Sequence, residues 1–281
     1  MSLMWGPWVW QVVSPPNDGI SSLSFNPKAN YLIATSWDNQ VRPLHVPNLA
    51  TGPGVGQLLT PLLGLRGRQV RCWEIQATGQ SVPKAQISHD QPVLCSAWKD
   101  DGSTVFSAGC DKQAKMWPVM SGGQPTVVGA HDAPIKDIAW IPEINLLATS
   151  SWDKTVKYWD TRQATPAHTQ QLPERPYSMS VRHPLMVVAT ADRSIIVYNL
   201  AAPQTEYERI VSPLKFQTRC VATFPDKTGF LVGSIEGRVA VQHIEEAQQA
   251  KNFTFKCHRD GNDIYAVNAI TFHPVPPPST Q

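Results

Sequence analysis

The chain has 281 residues, of which 42% are hydrophobic and 16% charged, with a formal charge of +2. It is long and apolar enough to bury a core, too poor in charge to be disordered, and too nearly neutral for composition alone to mark a nucleic-acid-binding face. No apolar run approaches the ~20 residues that span a bilayer, and the first ten residues hold no Lys or Arg to head a secretory signal, so a soluble intracellular protein without membrane insertion is expected.

In chain order, residues 1–13 come first, with Trp8, Trp10 and Val12 alternating; they are expected to form a tail or a strand that closes the last unit of the repeat that follows. From residue 14 to 275 one pattern recurs. An aromatic or apolar residue opens a turn at Phe25-Asn-Pro27, Trp98-Lys-Asp100, Trp140-Ile-Pro142, Val181-Arg-His183, Phe224-Pro-Asp226 and Phe272-His-Pro274. An acid follows 11 to 13 positions later at Asp38, Asp111, Asp153, Asp192 and Glu236, and six residues beyond three of these acids stands Trp117, Trp159 or Tyr198. His89-Asp90-x-Pro92 superimposes on His131-Asp132-x-Pro134 at a separation of 42 residues, which Trp98/Trp140, Asp111/Asp153 and Trp117/Trp159 share.

The first copy breaks this spacing, because Trp73 lies 29 residues too late. Gln40-Val41-Arg42 recurs as Gln69-Val70-Arg71, and removing Pro43 to Arg71 restores the repeat. That segment has no Asp or Glu and no helical or alternating period, and residues 43–71 are expected to be an inserted, disordered loop. At the other end the pattern stops before a Pro-rich stretch, residues 276–281.

Short β-type runs such as Leu146-Leu-Ala-Thr149 and Thr155-Val-Lys-Tyr158, broken by Gly, Asp, Asn or Pro, fill each unit. A period near 42 with His-Asp early and Trp-Asp late is the signature of the WD repeat, one four-stranded blade per unit. The expected fold is therefore all-β: a WD40 β-propeller with five complete repeats, the first strand of a sixth, and an incomplete ring whose exposed edges favour association. His89, Asp111, Trp117, His131, Asp153, Trp159 and Asp192 are expected to staple blades. His89 with Asp111 and Ser107 could be drawn as a catalytic triad, but its recurrence at a fixed repeat position argues for structure. The chain holds no GxSxG, P-loop or HExxH, and Cys72, Cys95, Cys110, Cys220 and Cys257 are odd in number and scattered. No enzyme activity, cofactor or metal is expected.

Three segments, Gly233-Ser-Ile-Glu-Gly-Arg-Val-Ala-Val241, Phe253-Thr-Phe-Lys-Cys-His-Arg259 and Ile264-Tyr-Ala-Val-Asn-Ala-Ile-Thr-Phe-His273, resemble the Rae/Gle family of WD-repeat mRNA export factors and its Bub-type mitotic-checkpoint paralogue. Ser14-Pro-Pro-Asn-Asp18, Val82-Pro-Lys-Ala-Gln86, Asp111-Lys-Gln-Ala-Lys-Met-Trp117, Gln171-Leu-Pro-Glu-Arg175 and Ser212-Pro-Leu-Lys215 resemble the export factor rather than the paralogue. The resemblance implies a seven-bladed scaffold at the nuclear pore of the nucleus, with some cytoplasmic pool. Its implied partners are a phenylalanine-glycine nucleoporin carrying a Gle-binding segment, and RNA or ribonucleoprotein.

The residues themselves offer a compatible site. Phe253 and Phe255 alternate amid Lys251, Lys256 and Arg259, with Arg238 after the acidic turn, which makes an apolar anchor with a cationic rim. Arg238, Phe255, Lys256 and Arg259 are the expected partner-binding residues, against the alternative that the two aromatics are core. Trp159-Asp160-x-Arg162 resembles the motif by which some propellers dock on cullin-type ubiquitin ligases. Alternative functions are thus a mitotic-checkpoint or ubiquitin-ligase adaptor, or a non-functional truncated splice product.

Overall fold

A computed structural model describes residues 12–16, 18–37, 69–76, 78 and 80–272. They form five four-stranded antiparallel sheets, each a meander of consecutive strands. The first sheet holds β1 (Ile20–Phe25), β2 (Tyr31–Ser36), β3 (Gln69–Ile75) and β4 (Ser81–Ser88), and the second β5 (Val93–Trp98), β6 (Val105–Gly109), β7 (Gln113–Trp117) and β8 (Thr126–Ala130). The third holds β9 (Ile135–Ile141), β10 (Leu146–Ser151), β11 (Thr155–Trp159) and β12 (His168–Gln171), and the fourth β13 (Pro176–Arg182), β14 (Leu185–Thr190), β15 (Ser194–Asn199) and β16 (Glu206–Val211). The fifth holds β17 (Thr218–Thr223), β18 (Gly229–Ser234), β19 (Arg238–His243) and β20 (Phe253–Lys256). The fold is a WD-repeat propeller whose blades follow the sequence repeat.

Each blade's first strand touches the first strand of the next, so β1, β5, β9, β13 and β17 succeed one another around a common axis. At one end they surround a cavity of about 490 Å³ lined by Trp37, Lys136, Trp152, Tyr177 and Arg219 among others. The core lies between blades. Ile33 and Val70 of blade 1 pack with Trp98 and Val105 of blade 2, and Phe106 of blade 2 with Ile138 and Leu147 of blade 3. Met186 and Tyr198 of blade 4 meet Tyr158 of blade 3, and Val187 and Ile195 of blade 4 meet Phe230 and Val232 of blade 5. Alternation therefore serves two neighbours: one set of side chains faces the preceding blade and the other the following blade, so central strands such as β14 are buried throughout.

The repeated acid organises the turn between second and third strands. Asp153 accepts from Thr155 N–H at 3.0 Å and from its hydroxyl at 2.6 Å, and Asp192 does the same with Ser194 at 3.2 and 2.9 Å. The next residue is left-handed in every such turn described, with φ of 66° at Lys112 and Lys154, 70° at Arg193 and 61° at Gly237. Its carbonyl then accepts from the residue just past the outer strand: His131 on Lys112, Leu172 on Lys154, Ser212 on Arg193 and Cys257 on Gly237, at 2.8 to 3.0 Å. One turn thereby ties a blade's outermost strand to its interior.

In blade 3 a side-chain chain reinforces that tie. Trp159 Nε1 donates to Thr149 Oγ1 at 2.8 Å, Thr149 Oγ1 lies 2.8 Å from His131 Nε2, and His131 Nδ1 lies 2.8 Å from Asp153 Oδ2. Burial holds His131 below the usual imidazole range despite the attraction of Asp153. The neutral ring then donates from Nδ1 to the carboxylate and accepts at Nε2 from the threonine hydroxyl, an assignment made from these partners. Burial raises Asp153, but the Thr155 hydroxyl, His131 and the Asp132 N–H outweigh it and keep the carboxylate ionised.

Two expectations are corrected. Gln69, Val70 and Arg71, placed at the end of the insertion, are the start of β3, where Val70 pairs with Thr35 and Arg71 with Ala34. The two Gln-Val-Arg copies are interchangeable in sequence, and only ladder pairing distinguishes the one in the strand. Asp38 and the remainder of the insertion lie outside the described residues. The sixth unit, expected to have its first strand, has no strand over the described residues 265–272, and just before it β21 (Arg259–Asp260) pairs with β22 (Asp263–Ile264). Residues 266–272 still occupy a first-strand position, since Val267 and Ile270 pack on blade 5 and Val267 N donates to Ser234 O at 3.1 Å. Residues 1–11 and the Pro-rich end also lie outside the described residues, while Val13 is fastened to blade 1 by Ser81 Oγ and Trp73 Nε1.

Thr149→Val keeps the shape of the side chain but strips the bridge between two buried rings; it should cost about 2 kcal/mol of unfolding free energy, read by denaturant titration. Because His131 titrates below the unfolded chain's value of about 6.5, lowering pH from 7 to 5 protonates the unfolded chain first and removes stability. In His131→Gln that part of the pH dependence should be absent.

Candidate partner-binding site

The expected partner-binding residues converge at the outer edge of blade 5. Arg238 stands directly opposite Lys256 in the β19–β20 ladder, with Val239 opposite Phe255 and Val241 opposite Phe253. Phe253 and Phe255 share one face of the edge strand, their rings 6.1 Å apart and tilted by 35°. They remain 56% and 41% exposed, so the reading of them as core is not what the fold provides. Arg259 Nη2 donates to Glu236 O at 3.2 Å, and Arg238 Nε lies 3.6 Å from Glu236 Oε2. Arg238, Lys256 and Arg259 thus gather near the turn at Glu236, while strand alternation puts Phe253 and Phe255 on the opposite face of the same edge from Arg238 and Lys256. Like charges directly opposite destabilise a ladder, and a single carboxylate at 3.6 Å offsets only part of that. The corner is suited to an anionic or extended segment that brings charge to the cations and apolar atoms to the rings.

Two residues that sequence reasoning passed over build this corner. Gly237 lets the chain reverse: a Cβ there would meet Cys257 O at 2.6 Å and Tyr265 O at 2.9 Å, in a conformation with φ of 61° that L side chains rarely adopt. Tyr265, 56% exposed, is brought alongside by its N–H bond to His258 O at 3.0 Å. The left-handed turn at the equivalent Lys112, Lys154 and Arg193 was the available signal for Gly237, but φ is invisible in a residue name.

The other candidate groups are arranged differently. Trp159 is buried inside blade 3, whereas the Arg162 side chain is 77% exposed and forks onto Asp160 at 2.8 and 2.7 Å. That guanidinium holds the Asp160 carboxyl down to about 2. The motif is therefore not one surface: the tryptophan is a strut and the arginine is engaged within its own turn. His89 is linked to Asp111 at 2.7 Å and to Ser107 at 2.8 Å, which reproduces triad connectivity. Ser107 is fully buried and a substrate has no access to its hydroxyl, so the arrangement serves as a staple. Burial raises Asp111, but His89, Lys115 and the Gln113 N–H together bring its carboxyl below the usual range. Asp192, with no histidine beside it, is bonded instead by Thr190 at 2.6 Å. Among the described residues no three metal-ligating side chains come together, and no helix is long and apolar enough to cross a membrane.

The model of the WD domain, G-beta repeat matches residues 9–42, 81–118 and 123–160. The chain is 66% identical over 269 residues to Protein RAE1 of Arabidopsis thaliana, a match that covers 95% of this chain and 69% of that protein. It is 49% identical over 281 residues to the mRNA export factor of Xenopus tropicalis, covering 94% and 68%, and 48% identical to that of Danio rerio with the same coverage.

Gly237→Ala should lower stability by about 1–3 kcal/mol through backbone strain and the two carbonyl clashes, seen as a reduced melting temperature. Lys112→Gly, at the equivalent turn, should be close to neutral.

Proposed function

The chain belongs to the family of WD-repeat mRNA export factors, and from that membership we propose that it is a non-enzymatic scaffold in the nucleus. It works at the pore, binding an extended nucleoporin segment and RNA through the outer corner of blade 5. The observation that carries this reading is an edge strand with opposed cations, Arg238 and Lys256, on one face and the exposed Phe253 and Phe255 on the other, which an added extended segment can contact with its alternating side chains. A protein that needed this edge only for its own stability gains nothing from opposed cations and half-bare aromatic rings. A partner supplies what both lack.

The chemistry favours a peptide of the phenylalanine-glycine nucleoporin class carrying acidic residues. Its backbone can lie along the outer strand, with carboxylates on Lys256 and Arg259 and apolar side chains on the rings. RNA fits the same features through phosphate on the cations and a base stacked on Phe255. A scaffold that presents such an edge holds cargo and pore together without bond chemistry, and the buried Ser107 and Thr149 hydroxyls are consistent with that.

Lys256→Glu and Arg259→Glu together should weaken binding of a nucleoporin Gle-binding peptide and of single-stranded RNA by about tenfold or more, with the far-ultraviolet circular dichroism unchanged. Binding by the unsubstituted chain should also fall as salt rises. Fluorescence anisotropy with labelled peptide and RNA reads both, and affinities unaltered by the charge reversal would overturn the assignment.

A further inference from the structure

The loop that joins β11 to β12 in blade 3 carries a group that neither the fold nor the partner edge of blade 5 uses. Residues 160–167 form it, and its first part is a turn: Gln163 N donates to Asp160 O at 2.9 Å, and the Arg162 guanidinium forks onto the Asp160 carboxylate at 2.8 and 2.7 Å. Its end is fixed where Ala167 N donates to Tyr158 O at 2.8 Å. Between these fastenings Ala164 and Thr165 are exposed and make no hydrogen bond among the described residues. The Thr165 hydroxyl therefore meets solvent, on a stretch of backbone that can be drawn out without breaking a ladder.

Pro166 follows it. A proline has no N–H to leave unpaired, so it suits an enzyme cleft that offers no acceptor to the residue after the modified one. Two other Ser/Thr-Pro pairs lie among the described residues, and the fold disqualifies both. Ser212 is 1% exposed, and its hydroxyl accepts from Leu214 N–H at 3.3 Å. Ser14 is held left-handed at a φ of 51°, with its carbonyl and that of Pro15 bound by Arg71. Of the three, only Thr165 offers an unbonded hydroxyl on an unfastened segment.

We propose that Thr165 is the acceptor of a proline-directed protein kinase, and that its phosphate draws the Arg162 guanidinium away from Asp160. In the transfer the Thr165 hydroxyl gives its proton to the kinase's base, its oxygen bonds to the γ-phosphorus of ATP, and the bond to the β-phosphate oxygen breaks to release ADP. The loop's two charges, Asp160 and Arg162, cancel before the reaction. The phosphate adds about −1.5 to −2 three residues from Arg162, whose side chain is 77% exposed and free to turn toward three strong acceptor oxygens. Modification thereby converts a neutral loop into an anionic one and dissolves the Asp160–Arg162 fork.

The full chain incubated with ATP, Mg²⁺ and a proline-directed kinase should carry phosphate on Thr165, mapped by tandem mass spectrometry. Thr165→Val should lose that phosphate, and Pro166→Ala should slow its addition about tenfold or more, with melting temperatures unmoved because both side chains lie outside the interblade cores. Absence of phosphate on Thr165, or addition at an equal rate in Pro166→Ala, would overturn the site. Titration of Asp160 by carbon-13 NMR reads the second half: its carboxyl, held at about 2 by Arg162, should rise toward its ordinary value of 3.8 on phosphorylation. In Arg162→Ala the carboxyl should start near that value and respond less to the phosphate, since only charge repulsion remains. A phosphorylated chain in which Asp160 stays at about 2, or a shift equally large in Arg162→Ala, would overturn the transfer of the guanidinium.

Discussion

A four-stranded sheet with apolar residues on both faces has no stable solvated side, and every feature of this chain answers that constraint. The inner strands are buried on both faces because each blade is a filling between two others. The interblade cores that pair Trp98 with Ile33, Ile138 with Phe106, and Phe230 with Val187 are therefore the fold itself. A fully buried side chain of this size contributes roughly 1.5–3 kcal/mol, so a face left without a neighbour forfeits several such contributions.

The polar parts hold each sheet in the shape that the packing needs. A blade's outer strand has one ladder partner and would fray, but the left-handed turn residue accepts a backbone N–H from the end of that strand, and the neighbouring acid orients the turn. Where histidine, threonine and tryptophan complete the chain, as in blade 3, the tie is buried and strong; where Asp192 acts with Thr190 and Ser194, it is local. The same left-handed turn, filled by Gly237 in blade 5, brings Cys257 and Tyr265 against it and so assembles the cationic corner.

Much of this was readable in the residues. The 42-residue spacing, the acid at the turn and the two His-Asp-Pro units report local chemistry repeated at fixed offsets, and repetition separates a staple from a catalytic triad. Insertion boundaries were less legible, because Gln40-Val-Arg42 and Gln69-Val-Arg71 are identical and only pairing with Ala34 and Thr35 distinguishes them. The sixth unit misled for a related reason: residues 266–272 have the composition of a first strand, but a strand is defined by its ladder.

The sequence by itself determined the class of fold, the number of complete blades, the His-Asp pairs of blades 2 and 3 and the membership of Phe255, Lys256 and Arg259 in one alternating run. Those depend on spacing along the chain, which residue types report. Tertiary structure alone decided that Arg238 opposes Lys256, that Phe253 and Phe255 are exposed together on the other face of that strand, and that Leu23 and Phe25 lie bare while Ile138 and Trp98 at the equivalent positions are buried. Period two assigns a side chain to one of two faces of its own strand, but which face is covered depends on the sheet beside it.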